Sequence, residues 1–455
     1  MKLQTLTIVF VGLLAIVCNG CEKFLAEPSR SNLLIPATLE DCQRLLDDYG
    51  TMNTGFPSDG EASADDYHLE TASWAALPLN AQHTYIWYTG ADHDLSQWSG
   101  PYKTVYNANL VLSVLEGMEI SGKPNAWLDQ YSALQGAALF YRAYAFYELA
   151  QLFMPVYVKD GHNSAPGIPL KLTPNIEELI SRATVGEVYT QIVNDYTASL
   201  DLLPSTSSIA SRPSKIAAYG ALARTYLTMG EYEKALQMAD RCLSLYSRLM
   251  DYNTYDPVST TPFTRFNEEV IFHATTSTGT QFAPNRALVA VELVGMYGPG
   301  DLRLPLFFNN DGNGNYNFKG SYDGTYSQVL FTGLTTGEQF LIKAECLARA
   351  GLDTEALTTL NTLLEMRFVD GNADTVLESQ NDVLRIVLNE RRKELVFRGL
   401  RWSDLRRLNT DPKYAKLLER MVDGQLYTLP PNDSRYVLLI PQDVMIHSTI
   451  TQNPR

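Results

Sequence analysis

Residues Ser214–Leu243 read SKIAAYGALARTYLTMGEYEKALQMADRCL. The spacing predicts two short amphipathic helices joined by a tight turn at Met229, Gly230 and Glu231. Ala223, Ala235 and Ala239 stand where the helices must approach closely, and Tyr219, Leu222, Tyr226 and Tyr232 fill the space around them. Gly230 can close the first helix in a left-handed conformation because it has no Cβ to clash. This alternation of small and large residues is the tetratricopeptide pattern. A second copy, GEQFLIKAECLARAGLDTEALTTLNTLL, runs from Gly337 to Leu364. Seven positions separate Ala223 from Gly230 and Ala344 from Gly351, and five separate Gly230 from Ala235 and Gly351 from Ala356. The chain is therefore expected to be organised around a helical-repeat scaffold.

Outward from the repeats, helical pattern is expected at Thr38–Tyr49, Tyr102–Leu115, Trp127–Met154 and Asp382–Leu408. Pro155 stops the third of these, whose stripe includes Leu134, Ala138, Tyr141, Ala145 and Leu149. Thr184 and Glu187 have capping-box spacing and open a further helix that ends at Leu203 and Pro204. Thr51–Ser96 lacks helical period and reads as a long structured loop, and Asp251–Thr336 interrupts the scaffold with short β-like runs such as Glu269–Ala274. The tail Asn409–Arg455 carries few helical signals.

The first twenty residues read as a targeting segment, with Lys2 ahead of an apolar run from Leu6 to Cys18 that is short for a membrane-spanning helix. Gly20 before Cys21 is what lipoprotein cleavage requires, so Cys21 is expected to become an acylated N-terminus. The remaining thiols, Cys42, Cys242 and Cys346, offer no zinc spacing and are expected to be structural.

The chain has 455 residues, a formal net charge of −15 and 26 tyrosines. That acidity argues against nucleic acid as the main partner, because phosphate binding needs a basic footprint. His83 and His93 lack the further ligands a metallohydrolase needs and read as loop histidines. Asp311–Asn315 begins like a calcium loop, but Tyr316 and Tyr322 stand where Gly and Glu are required, so a turn is expected. No metal or cofactor is expected.

Several segments together resemble the SusD-like (RagB/SusD) outer-membrane lipoproteins. They are Cys21–Leu25, Arg142–Leu149 with Gly167–Leu170, Thr184–Tyr189, the repeat around Gly230 and Ala235, and Lys343–Glu345 with Gly351. Glu390–Leu395 with Gly399–Arg407 is similar to the family's most specific motif, and Ile440, Pro441 and Gln452–Pro454 complete the order. Arg398 departs from the acidic residue usual at that place. The resemblance implies a mainly α fold: a tetratricopeptide-repeat helical scaffold with irregular loop-rich insertions and few short strands. It divides the chain into a lipoprotein signal peptide, 1–20, and one SusD-like domain, 21–455. Within that domain come a tether, 21–36, repeat helices within 100–250 and 335–408, and ligand-facing insertions at 51–98 and 251–336.

The resemblance further implies a non-enzymatic, lipid-anchored protein on the outer face of the outer membrane. It would capture a glycan and deliver it to a SusC-like TonB-dependent transporter. The alternatives are a transporter lid with little glycan affinity, a binder of another nutrient such as peptide, and a glycosidase.

Glu390–Arg407 crowds carboxylates and guanidinium groups. Glu394 and Arg398 are expected to be i,i+4 neighbours on one helix beneath Trp402–Arg407, in a buried structural network. Sugar faces stack on flat rings, so aromatics in non-helical segments are the ligand candidates. These are Tyr67, Trp74, Tyr85, Trp87, Tyr88 and Trp98, with Asp65 and Asp66 as acceptors, and Tyr297, Tyr322 and Tyr326 in the second insertion, near Asp301 and Arg303.

Overall fold

Gly230 and Gly351 both adopt left-handed backbone, with φ of 73° and 75°, at the turns where the two repeats reverse. The helices they separate are, in a computed structural model describing residues 36–373 and 382–455, parts of one ladder. The signal segment 1–20, Cys21 and all but the last residue of the tether lie outside the described residues. From Thr38 to Arg455 the chain forms one unit.

Among the described residues, the longer helices are α1 (Leu39–Leu46), α2 (Ser96–Glu116), α3 (Asn125–Phe153), α4 (Val185–Leu202) and α5 (Lys215–Thr228). They continue with α6 (Tyr232–Leu245), α7 (Thr336–Arg349), α8 (Asp353–Leu364), α9 (Val383–Glu394) and α10 (Arg401–Leu408). Each of α2 to α7 packs on its successor, and α7 also carries α8 and α9. The first repeat is α5 and α6; the second is α7 and α8. They stack directly although some ninety residues separate α6 from α7. Ala223, Leu227, Ala235 and Ala239 share one apolar cluster with Ile342 and Cys346. The alanines allow the close approach, and Cys42, Cys242 and Cys346 are free and buried.

Helix α3 is the spine. From Phe140 to Phe153 every residue is buried, so it is enclosed on all sides. Its polar members are held by specific partners: Arg142 makes a two-pronged pair with Asp195 of α4 at 2.7 and 2.8 Å. The capping box of α4 forms as its spacing implied, with Thr184 Oγ1 accepting from Glu187 N and Glu187 Oε2 accepting from Thr184 N. Among the described residues no helix is long and apolar enough to cross a membrane.

Two segments depart from the sequence reading. Thr51–Ser96 is not all loop: it holds short helices at Asp59–Ser63, Thr71–Ala75 and Leu79–Tyr85, each too short to display a 3.6-residue period. Helix α2 starts at Ser96, six residues before the expected Tyr102, because Pro101 is accommodated near its beginning. Asp382–Leu408 is not one helix. α9 ends at Glu394, Phe397 and Gly399 take positive φ, and α10 restarts at Arg401. A Cβ on Gly399 would lie 2.8 Å from Thr332 Cγ2, so the break is built into the packing.

The strands are short pairs. Val270–Phe272 pairs with Leu334–Thr335 at the entrance to α7, and Tyr67–His68 pairs with Leu288–Val289. The latter pair, with a bridge from Phe56 to Thr276, joins the insertions 51–98 and 251–336 to each other. Asp311–Asn315 is the turn of the hairpin Phe308–Asn310 and Tyr316–Phe318, and its Asp311 carboxylate accepts from Asn313 N and Asn315 N. The tail carries a hairpin absent from the sequence reading, Leu418–Val422 with Gln425–Leu429, turning at Asp423 and Gly424, both with positive φ.

Candidate functional site

Between the two insertions lies a cleft of about 420 Å³. Three helix starts and one strap build it. Ser58 and Asp59 open the helix Asp59–Ser63, Asn80 and Thr84 come from Leu79–Tyr85, Asp94, Ser96 and Gln97 lie at the start of α2, and Ser277–Gln281 is the strap. Gln97 holds it together from beneath. Its Oε1 accepts from Ser58 N at 2.8 Å and Asp59 N at 3.0 Å, while Nε2 donates to Ser277 Oγ at 2.9 Å. One buried amide thus ties both insertions to the first turn of α2. Asp59 Oδ2 lies 2.7 Å from His93 Nδ1, which fixes the carboxylate at the cleft wall. Most of the lining residues carry hydroxyl, amide or carboxylate groups, beside the apolar Pro78 and Ala81, and among the described residues no aromatic ring lines it.

The aromatic candidates sit elsewhere. Tyr67, Tyr85, Trp87, Trp98, Tyr297 and Tyr322 are buried, and so is Asp66. Their polar atoms are committed inward. Tyr67 donates to Ala62 O, Tyr85 OH accepts from Leu69 N, Trp87 Nε1 donates to Ser63 O, and Tyr297 donates to Lys393 O. Trp98 lies on α2 rather than in a loop and packs edge-on to Phe153.

These rings pack in the apolar core clusters, and most of them are also covered by cations supplied from distant segments. Arg420, on the tail hairpin, sits 3.8 Å from the ring centre of Tyr85, 4.6 Å from Trp87 and 5.2 Å from Tyr67. Its guanidinium also donates to the carbonyls of Ala62, Ala64 and Tyr85. Arg398 covers Tyr322 at 3.5 Å, and Arg303 and Lys393 lie over Tyr297. Three candidates keep solvent contact: Trp74 is half-buried, Tyr88 is 49% exposed and Tyr326 is 37% exposed. Tyr88 lies against His83, and Tyr326 donates to Pro284 O.

Sequence reasoning missed Gln97, Ser277 and Arg420. A Gln-Trp pair at a helix start carries no local signal, and Arg420 is legible only once the alternating burial of Leu418–Val422 is known.

The motif Glu390–Arg407 forms a buried ionic network. Arg303 pairs with Asp301, Glu390 and Glu394, and Arg367 with Glu269 and Glu394. Arg407 bridges Glu345 and Asp404, and Arg391 joins Asp404. Arg392 pairs with Asp65 and Asp66. Burial pushes the Asp404 carboxyl up, but Arg391 and Arg407 overcome it and hold the group at about 2. Burial raises Asp66, with Arg392 opposing. Arg398 is not an i,i+4 partner of Glu394 on a helix, because α9 has already ended. Its charge still lowers the Glu394 carboxyl, behind burial, Arg367 and Arg303 in size.

Two family models match: one described as "Starch-binding associating with outer membrane" over residues 23–227, the other as "SusD family" over residues 308–444. Together they span more than half of the chain, and the chain belongs to the SusD-like family. A curated relative, SusD-like protein P2 of Formosa agariphila, is 29% identical over 143 residues, which is 31% of this chain and 25% of that protein. The match spans a quarter of that relative's length. Among solved structures, a SusD superfamily protein of Bacteroides thetaiotaomicron VPI-5482 is 23% identical at a TM-score of 0.73, covering 92% of this chain and 100% of the other. A SusD-like carbohydrate binding protein of Bacteroides vulgatus ATCC 8482 is 19% identical at 0.64, covering 90% and 96%. These likenesses show a shared mainly helical fold.

Proposed function

We propose that this chain is a surface lipoprotein that captures a glycan in the cleft between its two insertions and delivers it to a SusC-like TonB-dependent transporter. The observation that carries the reading is the cleft itself in a chain of this family. It is a concave site large enough for a short oligosaccharide, walled by hydroxyls, amides and carboxylates fixed by Gln97 and His93. A sugar presents several hydroxyls that both donate and accept, and such a wall answers both. Binding without bond breaking fits the fate of the carboxylate-rich motif, whose members are spent on one another in the interior.

The test is isothermal calorimetry against a panel of starch-, laminarin- and xylan-derived oligosaccharides. The exposed Thr278 on the strap allows the cleft to be filled without touching the core. Thr278→Trp is expected to weaken binding more than about tenfold, equivalent to about 1.4 kcal/mol, with an unchanged melting temperature. Equal affinity in the variant would move the site away from this cleft.

A lid role without intrinsic affinity is the second reading, and the burial of most ring candidates favours it. In both readings Cys21 anchors the protein by acylation at the outer membrane. Detergent extraction of the full-length chain from native membranes is expected to co-purify a β-barrel, and Cys21→Ser is expected to release the protein into the soluble fraction. The lid reading predicts the barrel together with flat calorimetric traces; the capture reading predicts both barrel and heat.

A further inference from the structure

We infer that the cleft selects neutral glycans and rejects those bearing carboxylate or sulfate groups. The inference rests on the capture reading above and adds the chemical class of its ligand. The charges that face the cleft are of one sign. Asp59 and Asp94 line it, and no lysine or arginine does among the described residues. Asp94 is exposed, with Oδ1 accepting from Ser96 N at 2.8 Å; Asp59 is half-buried against His93.

The nearby cation does not reverse this. Arg286 donates from Nη1 to the carbonyl of Thr280 at 2.8 Å and is not part of the lining, so one positive charge beside the strap stands against two carboxylates in the wall itself. The rest of the wall, which includes Ser58, Asn80, Thr84, Gln97 and the strap hydroxyls beside the apolar Pro78 and Ala81, carries no charge.

Recognition of an acidic sugar calls for the opposite construction. A uronate or sulfate is bound by guanidinium or ammonium groups, commonly in a two-pronged arrangement. Placed here, it would be desolvated beside fixed carboxylates, with like charges inside one screening length, about 10 Å at 0.1 M salt. Carboxylates accept strongly from neutral hydroxyls, so the same two residues that repel an anion strengthen the hold on an uncharged sugar. The chain's net charge of −15 extends the bias to the approach.

The experiment uses the full chain after the signal segment and one matched pair of probes. The first is whichever maltose-, laminarin- or xylan-type oligosaccharide binds in calorimetry. The second is the same length of chain bearing uronate groups. In 50 mM salt the acidic probe is expected to bind at least about tenfold more weakly, and the gap is expected to narrow in 500 mM salt as screening shortens. Asp94→Asn alone, with an unchanged melting temperature, and Asp59→Asn with Asp94→Asn, are expected to recover acidic binding stepwise; the double variant gives up the Asp59–His93 contact, so its affinities are read at a temperature where circular dichroism shows it fully folded. Equal affinity for the two probes at low salt overturns the charge selection and leaves glycan capture standing, as does a double variant that recovers nothing. Failure of every neutral probe removes the capture reading and this inference with it.

Discussion

Arg367→Met is expected to cost about 3–5 kcal/mol of unfolding free energy at pH 7, the range found when one partner of a buried ion pair is removed. Arg367 is fully enclosed. Its Nη2 donates to both Glu269 oxygens at 2.7 and 3.0 Å and to Glu394 Oε1 at 2.9 Å, and its Nη1 donates to Met250 O at 2.9 Å. Tyr252 closes one face of the guanidinium at 4.0 Å. Methionine fills much of the volume and supplies none of the charge, so Glu269 and Glu394 would face each other without a shared cation.

The comparison that isolates the cause is Arg367→Met combined with Glu269→Gln. That double variant is expected to regain part of the loss, because the charge of Glu269, left without a guanidinium partner, is gone, while Glu394 keeps Arg303. Lowering the pH from 7 toward 5 is expected to shrink the gap between Arg367→Met and the parent, since Glu269, left without its guanidinium partner, then takes up a proton. Urea denaturation at both pH values reads all three proteins. A loss below about 1 kcal/mol, or a loss indifferent to pH, would show that the network contributes packing rather than charge.

The repeats were legible because their information is local. Gly230 and Gly351 announce left-handed turns, and the alanines five residues on announce close approach, all within one window of sequence. The ionic motif was legible in kind: Glu390, Arg391 and Arg407 form a buried structural network as their crowding implied. Its geometry was not. The helix expected to join Glu394 to Arg398 ends at Glu394, Phe397 and Gly399 take positive φ, and Gly399 lies so close to Thr332, in another part of the chain, that a Cβ there would be 2.8 Å from it.

The cleft was the least legible part. Its organising bonds run from Gln97 to Ser58 and to Ser277, the latter across 180 positions, and neither end has a distinctive neighbour. The aromatic reading met the same obstacle. Tyr85 and Trp87 look like exposed loop rings until Arg420, more than three hundred residues away, is laid over them. A ring that needs a cover and an arginine that needs acceptors satisfy each other, and no periodicity in either segment records the match.

The same long-range pairing leaves one carboxyl on α3 without an ion pair of its own, held by a hydrogen bond with Tyr144, and this gives the second large effect. Glu148 lies inside the scaffold, and burial pushes its carboxyl up to about 7, against the attraction of Arg224 and with added repulsion from Glu338. Arg224 cannot serve both acids, because its Nε and Nη2 are committed to Glu338 at 2.8 and 2.7 Å. Glu148 therefore folds most readily with its proton on. Its folded pKa stands above the ordinary value of 4.5, so its contribution is fully present below that value and is lost as pH rises through about 7. The loss amounts to ~3 kcal/mol on the alkaline side, at about 1.4 kcal/mol per pKa unit. Glu148→Gln keeps the shape of the protonated acid without the ability to ionise. It is expected to match the parent near pH 4.5 and to exceed it by about 3 kcal/mol at pH 8.5, with the gap opening between those values. Urea denaturation of both proteins across that range is the measurement, and groups common to both cancel in the difference. A constant difference at all pH values would mean that Glu148 ionises in the folded state as easily as in water, with Arg224 reaching it after all.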